Sequence, residues 1–238
     1  MTKTFTIRPL CLGVMKREKR NMAYRCPEDA VLEFPLISYY LEGDDHKVIV
    51  DTGGSAPDDK KWQPYFRSEN EEMDRALLNT GVSPRDIDIV ILTHLHWDHA
   101  GNNMLFPEAR FFVQAKELDF VLSADPEEKA GFELDLIKQT SYESVNGDCE
   151  IVPGISALLA PGHTVGMQCV AVETTMGKYI LGGDLITLFE NWEARPHIPG
   201  GIFYDLDTVI NSLNKIDEIN ASILPGHDPK VFKQSVYP

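Results

Sequence analysis

The most informative part of the chain is a run of polar side chains at residues 93–99, with the sequence T-H-L-H-W-D-H. Three of the seven histidines of the chain lie in this run, in a span of only six residues. Alternate side chains of an extended chain point to the same side, so an extended run would bring His94, His96 and Asp98 to one spot and turn His99 toward a neighbouring one. Imidazoles and carboxylates are ligands of zinc, and also of iron, manganese or cobalt. The run therefore predicts a metal site with room for a second ion.

A run of solvated polar residues at a strand end is the alternative interpretation. The run follows residues 87–93, which are rich in β-branched side chains and predict a buried strand. Three histidines and an aspartate beside apolar surroundings would be energetically unfavourable without a metal. The spacing is also far more specific than that of a lone histidine, so it favours the metal site.

Three later residues extend the predicted site. His163, Asp184 and His227 each follow an apolar stretch that predicts a strand, and at least one glycine precedes each of them. Glycine permits the close backbone turn that would carry a side chain from a strand end to a shared centre. Each residue alone would be an ordinary turn residue. With the first run they supply five histidines and two aspartates, enough ligands for two metal ions.

Strands outnumber helices among the elements that must position these residues. Apolar runs bounded by turn residues predict strands at residues 5–14, 34–41, 47–50, 87–93, 110–113, 150–152, 155–159, 168–174, 179–181 and 221–224. Helical spacing predicts helices at residues 68–81, 115–122, 127–139 and 206–219, and residues 57–67 are irregular. This mixed order predicts two sheets packed face to face with helices outside.

Length and charge limit the classes of function. The chain has 238 residues and no segment with the composition of a linker, so we expect one domain over residues 1–238. The formal net charge is −15, and 43% of the residues are hydrophobic. A field of that sign repels phosphate backbones and anionic lipid headgroups, so neither nucleic acid nor a membrane is an expected partner.

The start of the chain predicts a cytoplasmic protein. Its apolar stretch at residues 9–15 is far shorter than the roughly 20 residues of a membrane span. A basic run, Lys16, Arg17, Lys19 and Arg20, follows this stretch, whereas a secretory signal has its basic residues first. The basic run itself favours a solvated loop. Four widely spaced cysteines form no C-x-x-C pair, so we expect reduced thiols.

The order of the polar elements resembles a known family. The string H-L-H-W-D-H-A-G-N at residues 94–102 is followed by Pro-Gly-His-Thr, Gly-Asp and Gly-His elements, and I-V-D-T-G precedes it at residues 49–53. This series spans almost the whole chain and resembles the metallo-β-lactamase-fold hydrolase superfamily, within it most closely the N-acyl homoserine lactonase group. The resemblance implies an α+β fold, a four-layer αββα sandwich with the site at one edge.

The resemblance also implies a role for each polar residue. Seven ligands form two sets that share one residue: His94, His96 and His163 for one ion, Asp98, His99 and His227 for the other, and Asp184 as the bridge. Asp51 resembles the family's supporting carboxylate. This agrees with the tendency of a ligating imidazole to donate its other N–H group to a carboxylate.

The implied activity is hydrolysis of an N-acyl homoserine lactone or a similar neutral lactone. The resemblance implies two divalent ions, with zinc expected first and iron, manganese or cobalt as alternatives. The two ions would lie roughly 3.5 to 4 Å apart and would ionise a water between them, and the resulting hydroxide would attack the lactone carbonyl. Asp98 and Asp184 are the catalytic carboxylates of this scheme, and Asp98 would carry a proton to the leaving oxygen. Such an enzyme acts on a small molecule, as a monomer or a homodimer.

One departure from the lactonase pattern bears on the substrate. Lactonases place a tyrosine three residues after the bridging aspartate, where this chain has Thr187. Either the metal alone polarises the carbonyl, or another group such as Tyr204 reaches the site, or the substrate is not an acyl homoserine lactone. The candidate pocket residues are Trp97, Thr187, Phe189 and Tyr204, with residues 15–34 as a further wall.

Other functions would use related ligands. The main alternative is a thioester hydrolase of the glyoxalase II type or another small carboxylic ester hydrolase, although glyoxalase II is a longer chain with an added basic segment. An RNA-processing nuclease shares the H-x-H-x-D-H string, but its phosphate-rich substrate disagrees with a net charge of −15. A non-catalytic metal-binding protein of this fold would be expected to lack a ligand, and none is missing.

Overall fold

Two mixed β-sheets form the centre of the structure, a computed structural model that describes residues 3–43, 45–55, 60–62, 64–123 and 129–238. Within these residues, the strands of the first sheet are β1 Thr6–Glu18, β2 Val31–Glu42, β3 Lys47–Val50, β4 Tyr65–Phe66, β5 Ile89–Ile91, β6 Arg110–Gln114 and β7 Tyr142–Val145. Their order in the sheet is β4-β1-β2-β3-β5-β6-β7. The strands from β4 to β3 pair antiparallel, and those from β3 to β7 pair parallel.

The second sheet comes from the later part of the chain. Its strands are β8 Cys149–Val152, β9 Ile155–Leu159, β10 Gln168–Thr174, β11 Gly177–Leu181 and β12 Ser222–Leu224. Their order is β12-β11-β10-β9-β8. All pairs are antiparallel except β11 and β12, which are parallel.

The alternation of side chains along the strands divides the core into layers. In β10, Val170 and Val172 pack into the layer between the sheets, and Cys169 and Ala171 face the outer side of the second sheet. All four side chains are buried. Because alternate side chains of a strand point to opposite faces, this one continuous hydrophobic run packs against the core on both sides of the sheet.

Helices cover the outer faces of the two sheets. The helices are α1 Lys19–Met22, α2 Met73–Leu78, α3 Trp97–Ala100, α4 Ala115–Ser123, α5 Leu134–Gln139, α6 Phe189–Glu193 and α7 Leu206–Asp217. Helices α2, α4 and α5 contribute to the apolar cluster outside the first sheet, and α7 contributes to the one outside the second. These layers confirm the predicted four-layer αββα sandwich.

Helix α7 shows why the sequence adopts this arrangement. The side chain of Asp205 accepts a hydrogen bond of 2.8 Å from the backbone N–H of Thr208 and so caps the first turn. Val209, Leu213 and Ile216 then form a buried stripe at helical spacing against the second sheet.

Several elements differ from the sequence-based predictions. The strand predicted at residues 87–93 is limited to β5, and the chain bends at Thr93. The predicted irregular region at residues 57–67 contains β4, and part of it lies outside the described residues. The pattern does not predict β7, an edge strand with mostly exposed or half-buried side chains. The helix predicted at residues 127–139 begins at Leu134, and residues 127 and 128 lie outside the described residues.

The described helices are short. The longest of them, α7, has 12 residues. None in the described part of the chain combines the length and the apolarity that crossing a bilayer requires. All four cysteines are unpaired, as predicted.

Candidate metal centre

The predicted ligands follow strands whose carboxyl ends lie at one edge of the sandwich. In the first sheet β3 and β5 are parallel, and in the second β11 and β12 are parallel. Strand β9 has the same direction as β11, because both pair antiparallel with β10. The chain passes from β5 to residues 94–99, from β9 to His163, from β11 to Asp184 and from β12 to His227. Sheet topology thus brings together residues that are far apart in sequence.

His94, His96 and His163 form the first group of ligand atoms. The Nε2 atoms of His94 and His163 each lie 3.0 Å from Nδ1 of His96. All three ligand atoms lie within 4.8 Å of one another. Gly131 makes room for this group, since a Cβ atom at that position would lie 2.8 Å from Cδ2 of His96.

Asp98, His99 and His227 form a second group whose ligand atoms lie within 4.8 Å of one another. The prediction that Asp98 shares a side with His94 and His96 is wrong, because the chain does not stay extended. Trp97 begins α3, and the helical turn carries Asp98 and His99 away together. His94, His99 and Asp184 form a further group within the same distance, so the two groups are contiguous.

Asp184 lies between the two groups. Its Oδ1 atom is 2.9 Å from Nε2 of His227 and 3.2 Å from Nε2 of His99, and its Oδ2 atom is 3.3 Å from Nε2 of His163. The preceding Gly183 has a φ of 48°. This left-handed conformation favours glycine and allows the tight turn after β11.

Hydrogen bonds hold the ring nitrogens that point away from the centre. Nδ1 of His163 donates to the Ile202 carbonyl at 2.8 Å, and Nδ1 of His227 donates to the Pro35 carbonyl at 2.9 Å. Donation from Nδ1 of a neutral imidazole leaves a lone pair on Nε2. Both Nε2 atoms therefore face the centre. Burial opposes a charge on His227, but Asp184, whose Oδ1 lies 2.9 Å from that Nε2, raises its pKa, so this nitrogen donates to the carboxylate when protonated and can bind a metal when neutral.

Asp51 supports the third of these rings. Its Oδ2 atom lies 2.7 Å from Nδ1 of His99 and accepts a hydrogen bond of 2.8 Å from the hydroxyl of Thr93. Its Oδ1 atom accepts one of 2.7 Å from the backbone N–H of Thr93. The backbone of Asp51 has a φ of 61°, uncommon for a residue with a side chain. Several contacts stabilise this strained conformation. The structure thus places the Asp51 carboxylate behind the His99 ring, on the side away from the centre.

The electrostatic environment differs between the two groups. Burial, and then the charges of neighbouring imidazoles, lower the pKa of His94 and His96 well below the usual range. Burial also opposes a charge on His99, but three surrounding carboxylates raise its pKa well above the usual range. Burial opposes the ionised form of Asp184, yet the adjacent imidazoles hold its pKa well below the usual range. His94 and His96 are thus neutral, whereas His99 carries a positive charge beside the ionised Asp184.

A divalent metal ion fits this donor set. Ring nitrogens that face each other at 3.0 Å in the first group repel through their lone pairs unless a cation or a proton lies among them. The buried Nε2 of His99, although 3.2 Å from Oδ1 of Asp184, has no hydrogen-bond partner of suitable angle among the described residues. Imidazole nitrogens and carboxylate oxygens are the donors that zinc and related ions bind.

Glu117 in α4 is a buried carboxylate that the sequence-based reasoning missed. Its side chain accepts a hydrogen bond of 3.1 Å from the N–H of Leu95 and one of 3.0 Å from the N–H of Gly166. Burial raises its pKa, although these N–H groups act in the opposite direction. Leu95 lies between two ligands, and Gly166 lies in the loop after His163, so Glu117 joins the two loops of the first group. Glu117 lies four residues before the buried Val121 in α4, so both are on the same face of the helix. This helical spacing is the sequence feature that could have indicated an inward-facing position.

A cleft of about 250 Å³ opens over the centre. Of the predicted pocket residues, Trp97 and Thr187 line it. Phe189 does not, because it packs against the apolar layer between the sheets. Tyr204 does not either, since it is 60% exposed and its ring contacts Phe120 edge-on. The structure therefore places only half of the predicted pocket residues in this cleft.

Thr187 is tied to the opposite wall of the cleft. Its hydroxyl donates to the carbonyl of Met22 at 2.6 Å, and the amide of Asn191 donates to the same carbonyl at 2.6 Å and to Oγ1 of Thr187 at 3.0 Å. Met22 lies in α1, within the predicted wall at residues 15–34. The Thr187 hydroxyl thus fastens this wall to the loop that carries Asp184.

Together the αββα fold and this cluster define the class of a metal-dependent hydrolase. The chain belongs to the metallo-beta-lactamase superfamily, whose family model matches residues 37–227.

Individual relatives support this family assignment. The N-acyl homoserine lactonase AiiA of Bacillus thuringiensis subsp. kurstaki is 28% identical over 214 residues, which cover 83% of each chain. A probable metallo-hydrolase of Methanocaldococcus jannaschii is 30% identical over 162 residues, 68% of this chain and 67% of the relative. A solved N-acyl homoserine lactone hydrolase with the product N-hexanoyl-L-homoserine at its catalytic metal centre has a TM-score of 0.85 and 25% identity, and the match covers 98% of this chain and 96% of the other.

We expect Glu117→Gln to weaken metal binding. The glutamine oxygen can accept one N–H group, but its amide would face the other, so the two ligand loops would separate. Loss of such outer support typically lowers metal affinity about 10-fold or more. Competition with a chromogenic chelator measures this. Asp119→Asn, an exposed change on the same helix, is the matched control, and equal affinity in both variants would contradict the role of Glu117.

We expect Thr187→Val to destabilise the protein by about 1 kcal/mol, since the Met22 carbonyl loses one of two donors at nearly constant side-chain volume. The midpoint of urea unfolding measures this effect. Asn191→Ala removes the other donor, and the double variant should depart from additivity because both side chains share one acceptor. Strict additivity would show that they act independently.

Proposed function

We propose that this enzyme hydrolyses a lactone ring at a site that holds two divalent metal ions. The observation that carries the proposal is the convergence of five imidazoles and two carboxylates, in two groups joined by Asp184, at a cleft. The relatives with 28% and 25% identity are named as hydrolases of N-acyl homoserine lactones. We infer a lactone of this type as the substrate class.

The two groups of side chains indicate how the ligands would be divided. The first ion would be bound by His94, His96 and His163, the second by Asp98, His99 and His227, and Asp184 would bind both. The neutral state of His94 and His96 supports their assignment as ligands, because a ligating imidazole must be unprotonated. Zinc is the ion that we infer from the donor types, and iron, manganese and cobalt are the alternatives that metal analysis would reveal.

When bound, divalent ions polarise an ester carbonyl and lower the pKa of water toward neutrality. The contribution of the chain itself is position and charge. The hydrogen bonds to Pro35 and Ile202 keep two ring nitrogens aimed at the centre. Asp98 lines the cleft, and we assign it the transfer of a proton to the leaving oxygen. Trp97 lines the cleft and would shield one side of a bound ester from water.

The position of Thr187 narrows the alternatives for carbonyl recognition. Its hydroxyl is engaged with the Met22 carbonyl, and Tyr204 lies outside the cleft. Tyr204 therefore does not replace the tyrosine whose phenol contacts the substrate carbonyl in lactonases. Polarisation by metal alone, or a substrate other than a simple acyl homoserine lactone, are the two alternatives that agree with this arrangement.

We expect hydrolysis to depend on metal and to favour lactones over thioesters. Treatment with a chelator should abolish turnover, and added zinc should restore it, because no side chain of the cluster is positioned to act as a covalent nucleophile. Proton release from a panel of lactones and acyl thioesters measures this, with metal content determined on the same samples. Turnover of thioesters alone would favour the glyoxalase II type of activity, and full activity after chelation would contradict a metal-dependent reaction.

We expect Asp184→Asn to lose at least one metal ion and most of the activity while the protein stays folded. The amide keeps the size of the side chain but removes the negative charge that joins the two groups. Elemental analysis, kcat and circular dichroism measure the three effects. Asp135→Asn, an exposed change in α5, controls for the loss of a carboxylate, and unimpaired turnover in Asp184→Asn would contradict the bridging role.

A further inference from the structure

Arg17 differs from the other members of the basic run near the start of the chain. The others each form an ion pair with a carboxylate: Lys16 with Glu33, Lys19 with Glu28 and Glu190, and Arg20 with Glu18. Among the described residues, no carboxylate lies within 4.0 Å of the Arg17 guanidinium. The run is therefore not a solvated loop, because it belongs to β1 and α1 and three of its four cations form ion pairs.

The strand geometry turns Arg17 into the cleft. Met15 and Arg17 are two residues apart in β1 and so share a face, and both line the cleft over the candidate metal centre. His96, Asp98 and Asp184 line the same cleft. Lys16, on the opposite face, lies over the ring of Phe66 instead. The guanidinium thus belongs to the walls of the substrate site.

Neutral groups hold the guanidinium in place. Its Nη1 atom donates to the carbonyls of Lys16 at 2.8 Å and Pro64 at 3.4 Å, and its Nη2 atom donates to the carbonyl of Trp62 at 3.3 Å. These three acceptors account for three of its five N–H groups, and none of them carries a charge. Burial lowers the pKa of Arg17, and the Asp98 carboxylate, which lines the same cleft, acts in the opposite direction without forming an ion pair with it. The remaining donors are Nε–H and one N–H of Nη2. Elsewhere in this protein the same pair of nitrogens binds a carboxylate: Nε and Nη2 of Arg110 donate to the two carboxylate oxygens of Glu143, at 2.7 and 2.6 Å.

A half-buried cation with two remaining donors is suited to a carboxylate, which accepts both hydrogen bonds and places a negative charge in direct contact with the guanidinium. The net charge of −15 would not attract an anion to the protein as a whole, so such selectivity has to be local. We propose that Arg17 binds a carboxylate on the acyl part of the substrate, so that the enzyme prefers lactones with an acidic side chain. This rests on the proposed lactone hydrolysis and replaces the neutral substrate that the family resemblance implies.

The test compares two lactones with five-carbon acyl chains: N-pentanoyl homoserine lactone, which is uncharged, and N-glutaryl homoserine lactone, whose chain ends in a carboxylate. The zinc-reconstituted enzyme should prefer the glutaryl compound. Arg17→Gln should raise KM for that compound about 10- to 100-fold with little change in kcat, because a charge-assisted hydrogen-bonded pair is lost. Turnover of the pentanoyl compound should change less than about 3-fold.

Two further variants separate recognition from structure. Arg17→Lys keeps the charge without the paired donors and should fall between wild type and Arg17→Gln. Lys16→Gln removes the adjacent cation outside the cleft and should match the wild type. Equal efficiency of the wild type on both lactones, or a proportional loss on both in Arg17→Gln, would overturn the proposal.

Calorimetry with the ring-opened products keeps this test independent of turnover. Wild type should bind N-glutaryl-homoserine more tightly than N-pentanoyl-homoserine, and Arg17→Gln should lose that difference. If neither lactone is hydrolysed, the proposed function fails, and the binding comparison still decides the role of Arg17.

Discussion

The structure depends on a cluster of buried ring nitrogens and carboxylate oxygens that face one another with little access to water. Lone pairs on imidazoles 3.0 Å apart repel, and a buried carboxylate is unfavourable unless a positive charge lies beside it. A cation at the centre removes both penalties. The opposite pKa shifts of His96 and His99 follow from the same arrangement, because burial and neighbouring imidazoles outweigh the single carboxylate that acts on His96, whereas three carboxylates outweigh burial at His99.

The contacts behind this cluster make it rigid. Asp51 and Glu117 are buried carboxylates that do not face the centre but position the side chains that do. Asp51 contacts the imidazole of His99, and Glu117 joins the two loops that carry the first group. The walls of the cleft belong to a different part of the chain, where β1 and α1 meet the loop after Asp184 through Thr187. Substrate preference can therefore change through the walls while the metal-binding floor stays intact.

Much of this arrangement could be predicted from local patterns, and the failures share a cause. The alternation in β10 and the apolar stripe of α7 correspond to the observed layers, because both depend on the period of one element. The extended-chain geometry for Asp98 failed because α3 begins at Trp97. Phe189 and Tyr204 are aromatic residues near the site, but sequence proximity to a ligand does not specify which side of a loop faces a cleft.

The sequence by itself determined the donor types, their order and the strand that precedes each one, since these follow from residue identity and short-range periodicity. Only the tertiary structure decided which donors meet, and that Glu117 joins two loops. It also decided that Arg17 is the member of the basic run that lines the cleft, and that among the described residues no carboxylate forms an ion pair with it. Periodicity specifies the direction of a side chain relative to its own strand or helix. The distances between elements depend on how the sheets pair and pack, which no local pattern contains.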